Sequence, residues 1–197
     1  MRFVSFAVAL AALIVIAPPV HVGAQTAEIV KQAREALEAK RFDDAIVMLE
    51  KAVTADPNDA AALAWFGSAQ VRKAGAVSVV EAPGWVKKGF NTLDDAVERF
   101  PDAFIVYMVR GITALRVPGM FKKTPVAIRD LTTVVGMKEK SPASVPDAVM
   151  PSIYLNLGLA YKKAGQTSDA RAAWEKGRTL YPSAAETEAI EKELKAL

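Results

Sequence analysis

Residue types able to do covalent or acid–base chemistry are scarce in this 197-residue chain. Cysteine is absent, and the sole histidine, His21, falls in an amino-terminal leader described below. Ser-His and Cys-His nucleophilic systems, most zinc sites and the usual general base near neutral pH therefore lack their parts. Carboxylates stand side by side at Asp43-Asp44 and Asp94-Asp95. Adjacent residues on a helix point in different directions and do not share a substrate, so both pairs read as exposed helix residues. No Gly-rich phosphate loop or dinucleotide fingerprint occurs. A glycosidase-like pair of carboxylates drawn from distant helices has no positive support. The residues predict no catalysis, no metal and no cofactor.

The elements around these residues begin with a leader. Met1-Arg2-Phe3 is followed by an apolar run from Val4 to Ala17, a break at Pro18-Pro19 and the small residues Val22-Gly23-Ala24. That order predicts a secretory signal over residues 1–24, cleaved after Ala24. The apolar run is short of the roughly 20 residues that span a bilayer, and an uncleaved anchor is the alternative reading. The remainder, residues 25–197, is expected to be one domain in an extracytoplasmic compartment, most simply a bacterial periplasm, with no stable membrane anchor after cleavage. Without cysteine it has neither a disulfide framework nor a thiol for lipid attachment. The balance of 25 Lys and Arg against 22 Asp and Glu is too even for a nucleic-acid binder, and none is expected. Abundant Ala, Leu, Val and Lys favours helices.

A helix-turn-helix pattern is clearest from Ser152, in SIYLNLGLAYKKAGQTSDARAAWEKGRTLYP. Tyr154, Leu157, Gly158 and Tyr161 occupy one helix, Gly165 the turn, and Ala170, Trp174 and Pro182 the second helix and its end. Small Gly158 and Ala170 allow close helix approach while the large side chains fill the space beside it. This segment resembles the tetratricopeptide repeat closely. Residues 26–59 share the layout, with Ala33, Ala45, Leu49, Ala52 and Pro57 in register and a degenerate first helix. Between them, Gly67 opens a unit over 60–101 whose closing Phe100-Pro101 comes late, so Gly75–Pro83 must hold an insertion or a helix extension. Val86, Phe90, Leu93, Val97 and Phe100 recur as one helix face. A third unit, 102–142, starts with the strongly apolar Ala103–Leu115 and turns through Val117–Pro125, and the fourth covers 148–182. Ser183-Ala184-Ala185-Glu186 reads as a capping box before a polar terminal helix, the cap 183–197.

The resemblance implies an all-α, right-handed α-solenoid of about four helical hairpins plus a C-terminal capping helix. It also implies protein–protein interaction, adaptor or scaffold work in which the first helices line a groove for a peptide or protein segment. Laid on the family pattern, Val30, Arg34, Leu37 and Glu38 of the first repeat face that groove. So do Ser68, Val71 and Arg72 of the second, and Leu155, Leu159, Lys162 and Lys163 of the last. Asn156 and Lys163 hint at the family's carboxylate clamp, but the earlier repeats do not supply the matching Lys and Asn, and that ligand is not expected. Met120 and Phe121 beside Lys122-Lys123 form either a loop contact or a wedge folded into the hairpin. Trp65 and Trp85 read as core residues. A small-ligand carrier or transporter accessory, with a cavity built by the lengthened middle hairpins, is the competing function, and structural self-association is a third.

Overall fold

The computed structural model of the protein describes residues 22–197. The predicted leader lies outside the described residues, except that Val22, Gly23 and Ala24 form the first turn of the first helix. The fold is an all-α repeat whose first hairpin is α1 (Val22–Glu38) with α2 (Phe42–Ala55). α3 (Ala60–Lys73) pairs with α4 (Ala82–Arg99), α5 (Phe104–Arg116) with α6 (Thr124–Lys140), and α7 (Met150–Lys163) with α8 (Thr167–Leu180). α9 (Glu186–Lys195) closes the end, with Ile190 buried against α7 and α8. Among the described residues no helix is long and apolar enough to cross a membrane.

Each pair closes on small residues. A Cβ on Gly89 would stand 2.6 Å from the Gly67 carbonyl oxygen, one on Gly111 would stand 3.0 Å from Leu131 Cγ, and one on Gly158 would enter the Trp174 indole. Trp174, fully buried, donates from Nε1 to the Leu155 carbonyl at 3.1 Å, so its one polar atom is satisfied where it packs. Tyr154, Leu157 and Ala170 are buried and Tyr161 half-buried around it. Ala45 and Gly67 are buried in their own hairpins, whereas Pro57, Pro101 and Pro182 stand exposed just past the ends of α2, α4 and α8, where the chain must leave the helix.

The outer hairpins share a tight turn. Arg41 N–H donates to Ala36 O at 2.8 Å and Gln166 N–H to Tyr161 O at 2.9 Å, each enclosing a residue with positive φ, Lys40 at 58° and Gly165 at 77°. This is the six-to-one closure of a helix C-terminus, with glycine in one copy and lysine in the other.

The middle hairpins are longer. A 3-10 turn at Ala74–Ala76 and the segment Val77–Glu81 separate α3 from α4, and a second 3-10 turn at Gly119–Phe121 separates α5 from α6. The capping box predicted at Ser183–Glu186 is not formed, because Ala185 caps α9 without a side-chain bond and the Thr187 hydroxyl donates instead to Tyr181 O at 2.9 Å. The same Ser-x-x-Glu spacing does form the reciprocal pair at Ser78 and Glu81. Glu81 N–H donates to Ser78 Oγ at 3.3 Å, and Ser78 N–H donates to Glu81 Oε2 at 3.2 Å.

Replacing Gly158→Ala should lower unfolding free energy by about 2 kcal/mol despite alanine's better helix propensity, because Trp174 has no room to retreat. Lys40→Gly should raise it by about 0.5–1 kcal/mol by removing a left-handed backbone from a side-chain-bearing residue. Denaturant titration of both variants measures the two shifts.

Candidate functional site

The first helices of successive hairpins, α1, α3, α5 and α7, pack side by side. Their shared face holds an unfilled pocket of about 510 Å³. Val71 of α3 and Val109 of α5 floor it, and Ser68 and Thr113 meet beneath it, hydroxyl to hydroxyl at 2.9 Å and both buried. Its walls are Ala74 and Gly75 of the first lengthened turn with Ala82 and Val86 of α4 on one side, and Val117, Pro118 and Phe121 of the second lengthened turn on the other. Ala148, Val149 and Ser152 complete it at the start of α7.

Arginines from three helices border the mouth. The Arg34 guanidinium lies 4.8 Å from the centre of the Trp65 ring. Arg72 donates from Nη1 to Glu38 Oε1 and from Nη2 to the Leu37 carbonyl, each at 2.9 Å. Arg116 is exposed and makes no salt bridge among the described residues. The Arg72 hydrogen bond holds the Glu38 carboxyl below its usual range, and the charges of Arg72, Arg116 and Arg34 add to that effect. Among the described residues Glu38 is the only acid in the lining, so the mouth is electropositive.

The predicted groove residues separate into three groups. Arg34 and Arg72 border the pocket as expected on the pattern, with Glu38, Ser68 and Val71. Val30 and Leu37 do not. Both are buried in the first-hairpin core with Ala33 and Leu49, because the stripe Val30, Ala33, Leu37 is the face that α1 turns toward its neighbours. Leu155 and Leu159 are covered as well. They pack against the cluster of Ala170, Trp174 and Ile190 alongside Leu194 and Leu197 of the terminal segment, and Lys162 Nζ pairs with Glu193 Oε2 at 2.7 Å. The capping helix thus occupies the surface that the pattern assigned to a ligand. Lys163 is turned inward to the protein, donating to Leu115 O at 2.7 Å and Val117 O at 2.8 Å, and so braces the end of α5 beside the pocket. Met120 is 79 % exposed, while Phe121 folds back as a pocket wall. Trp65 is half-buried in the lining rather than enclosed in a core. Its sequence surroundings are apolar, and only the position of Arg34 across the hairpin boundary marks it as a site residue. Arg116 carried no signal beyond ending an apolar helix.

Behind the pocket, α5 is locked by a buried ion pair that the sequence did not announce. Arg110 donates to Asp130 through Nε at 2.6 Å and Nη2 at 3.0 Å, and to Asp94 through Nη1 at 2.8 Å. Asp130 has no exposed surface, and Arg129 adds a fourth donation from Nε at 3.1 Å. Burial opposes the Arg110 charge, but the two carboxylates outweigh it and leave the guanidinium more strongly protonated than usual. Asp94, read as a solvated helix residue, is therefore a tie from α4 to α5. Among the described residues no three His, Cys, Asp or Glu side chains gather as metal ligands.

Tetratricopeptide repeat family models match residues 30–78 and 153–184. No curated protein matches the chain. Among solved structures, a point mutant of MamA is 22 % identical, with 86 % of each chain covered and a TM-score of 0.52. TTC0263, a thermophilic TPR protein of Thermus thermophilus, is 15 % identical over 87 % of this chain and all of that one, with a TM-score of 0.52. MamA MSR-1 is 22 % identical over 87 % of this chain and 93 % of that one, with a TM-score of 0.51. At such identities the likeness is one of fold.

Asp130→Ala should cost about 3–5 kcal/mol by stranding the buried Arg110 charge, and adding Arg110→Met should recover most of the loss. Chemical denaturation of the single and double variants distinguishes the two. Hairpins closed on small residues, two matching repeat models and the shared all-α repeat fold agree, and the chain carries tetratricopeptide repeats at residues 30–78 and 153–184.

Proposed function

We propose that this protein is an extracytoplasmic interaction module, an adaptor or scaffold, that holds a segment of a partner protein in the face formed by α1, α3, α5 and α7. Tetratricopeptide repeats support protein–protein interaction as the general role. The observation that carries the finer reading is the open pocket on that face, with its apolar floor and arginine-bordered mouth. Repeat proteins present the first helices of their hairpins as a continuous surface, and here that surface keeps accessible apolar and cationic groups together. The extracytoplasmic setting rests on the leader pattern of residues 1–24.

The pocket also favours a second reading. A volume of about 510 Å³ lies within the range of small-molecule sites, as a carrier or transporter accessory requires. Its mouth is bordered by the exposed Arg34, Glu38, Arg116 and Pro118 rather than closed over. That openness suits a chain passing across it better than an enclosed ligand.

Capture from gently crosslinked envelope extract tests the proposal, with an Arg34→Glu, Arg116→Glu variant of unchanged helicity and melting temperature as control. The expected result is a partner retained by the wild type and lost by the variant. Equal capture by both proteins, or a small molecule released on denaturing the purified protein with no protein partner captured, overturns the adaptor reading. Amino-terminal sequencing of the protein from periplasmic extract should begin at Gln25; an intact Met1 in the membrane fraction would refute cleavage.

A further inference from the structure

The chemistry of the pocket defines its occupant more narrowly than the interaction-module reading on which this inference rests. We infer that the pocket binds a partner segment that carries one aromatic side chain with carboxylates beside it.

The central part of the site is apolar. Val71, Ile112 and Phe121 line it, and at its base the Thr113 hydroxyl donates to Ser68 Oγ. An entering group therefore gains chiefly by burying carbon. A pocket of about 510 Å³ is roomy for one side chain of the largest class with its adjoining backbone.

The charges stand around that centre. Of the three lining arginines, Arg72 is committed to Glu38 and to the Leu37 carbonyl. Arg34 and Arg116 have no carboxylate partner among the described residues. Arg34 Cζ lies 4.8 Å from the centre of the Trp65 ring, a cation–π contact that needs no carboxylate and leaves the guanidinium donors for one. Arg34 comes from α1 and Arg116 from α5, and both charges act on Glu38, so they border one mouth beside the apolar centre. A segment anchored in the pocket by one apolar side chain meets two cations there that have no carboxylate partner among the described residues.

Blocked peptides test this. The probe carries a central Phe with Asp-Glu on either side. Its controls replace Phe by Ala, or the four acids by Asn and Gln, and indole-3-acetate and dodecanoate serve as small anionic probes. Binding to the full described domain is read by calorimetry and by Trp65 fluorescence, with Trp65→Phe showing which tryptophan responds. The acidic Phe peptide should bind, each control peptide should lose about tenfold or more in affinity, and added salt should weaken the complex. Arg34→Gln with Arg116→Gln should lose the preference for acids over amides while keeping the fold. Ile112→Trp should fill the pocket and abolish binding; its melting curve separates blockage from unfolding.

Equal affinity for the acidic and amide peptides, wild-type affinity in the double arginine variant, or no binding by any peptide overturns the inference. Small anions that bind as tightly as the peptide overturn it in favour of a small-ligand site. If the peptides fail while the envelope partner is still lost on mutating the face, the acidic aromatic anchor is wrong and the interaction module stands.

Discussion

Close approach between the two helices of each hairpin is the constraint on which the rest of this structure depends. Without Gly67 and Gly89 facing each other, α3 and α4 could not come near enough to bury Leu93 and Phe90. Without Gly158, Trp174 could not lie across α7. Dispersion falls away within an ångström of lost contact, so the backbone spacing set by these small residues decides whether the large ones beside them are packed or merely adjacent. Once each hairpin is a rigid slab, stacking the slabs is what remains. Residues such as Val53, Trp65 and Tyr107 then serve two neighbouring clusters at once.

The pocket follows from a departure from that regularity. In the first and fourth hairpins a three-residue turn returns the chain at once, with a left-handed residue at its corner. In the second and third the chain takes a 3-10 turn and several further residues before the return helix. These longer turns, with the start of α4, wall the shared face, Phe121 and Val117 on one side and Ala74, Gly75 and Val86 on the other. A site so placed needs α5 held firmly, since α5 carries Val109, Ile112, Thr113 and Arg116 toward it. The Arg110 ion pair to Asp130 and Asp94 meets that need from the far side of the helix, tying it to both α4 and α6. A fully hydrogen-bonded buried charge tolerates one geometry, whereas an apolar contact tolerates several.

The terminal helix limits the site as much as the turns build it. By laying Ile190 and Leu194 on α7 and α8 it removes Leu155 and Leu159 from the shared face, and by pairing Glu193 with Lys162 it uses a cation that the repeat pattern had offered to a ligand. The lining of the pocket accordingly comes from the first three hairpins and the start of the fourth. The electropositive character of the face then comes from Arg34, Arg72 and Arg116 rather than from the lysines at the end of α7.

The amino-acid sequence by itself determined the all-α repeat, because helical periodicity and the positions of small residues are local properties. Tyr154, Leu157, Gly158 and Trp174 reveal their packing by spacing alone. It also determined that the middle hairpins are long, through the late arrival of Phe100-Pro101. It did not determine which of two Ser-x-x-Glu sequences becomes a capping box. Nor did it separate Arg34 from Leu37 as accessible and buried, though both satisfy the same repeat pattern. That choice belongs to the rotation of α1 against its neighbours. Arg110 is 16 residues from Asp94 and 20 from Asp130 along the chain, and Arg116 and Arg34 come to border one pocket from two different hairpins. Contacts of that kind arise only when the hairpins stack, because the energy that selects them, burial and charge at close range, does not exist until the helices are side by side.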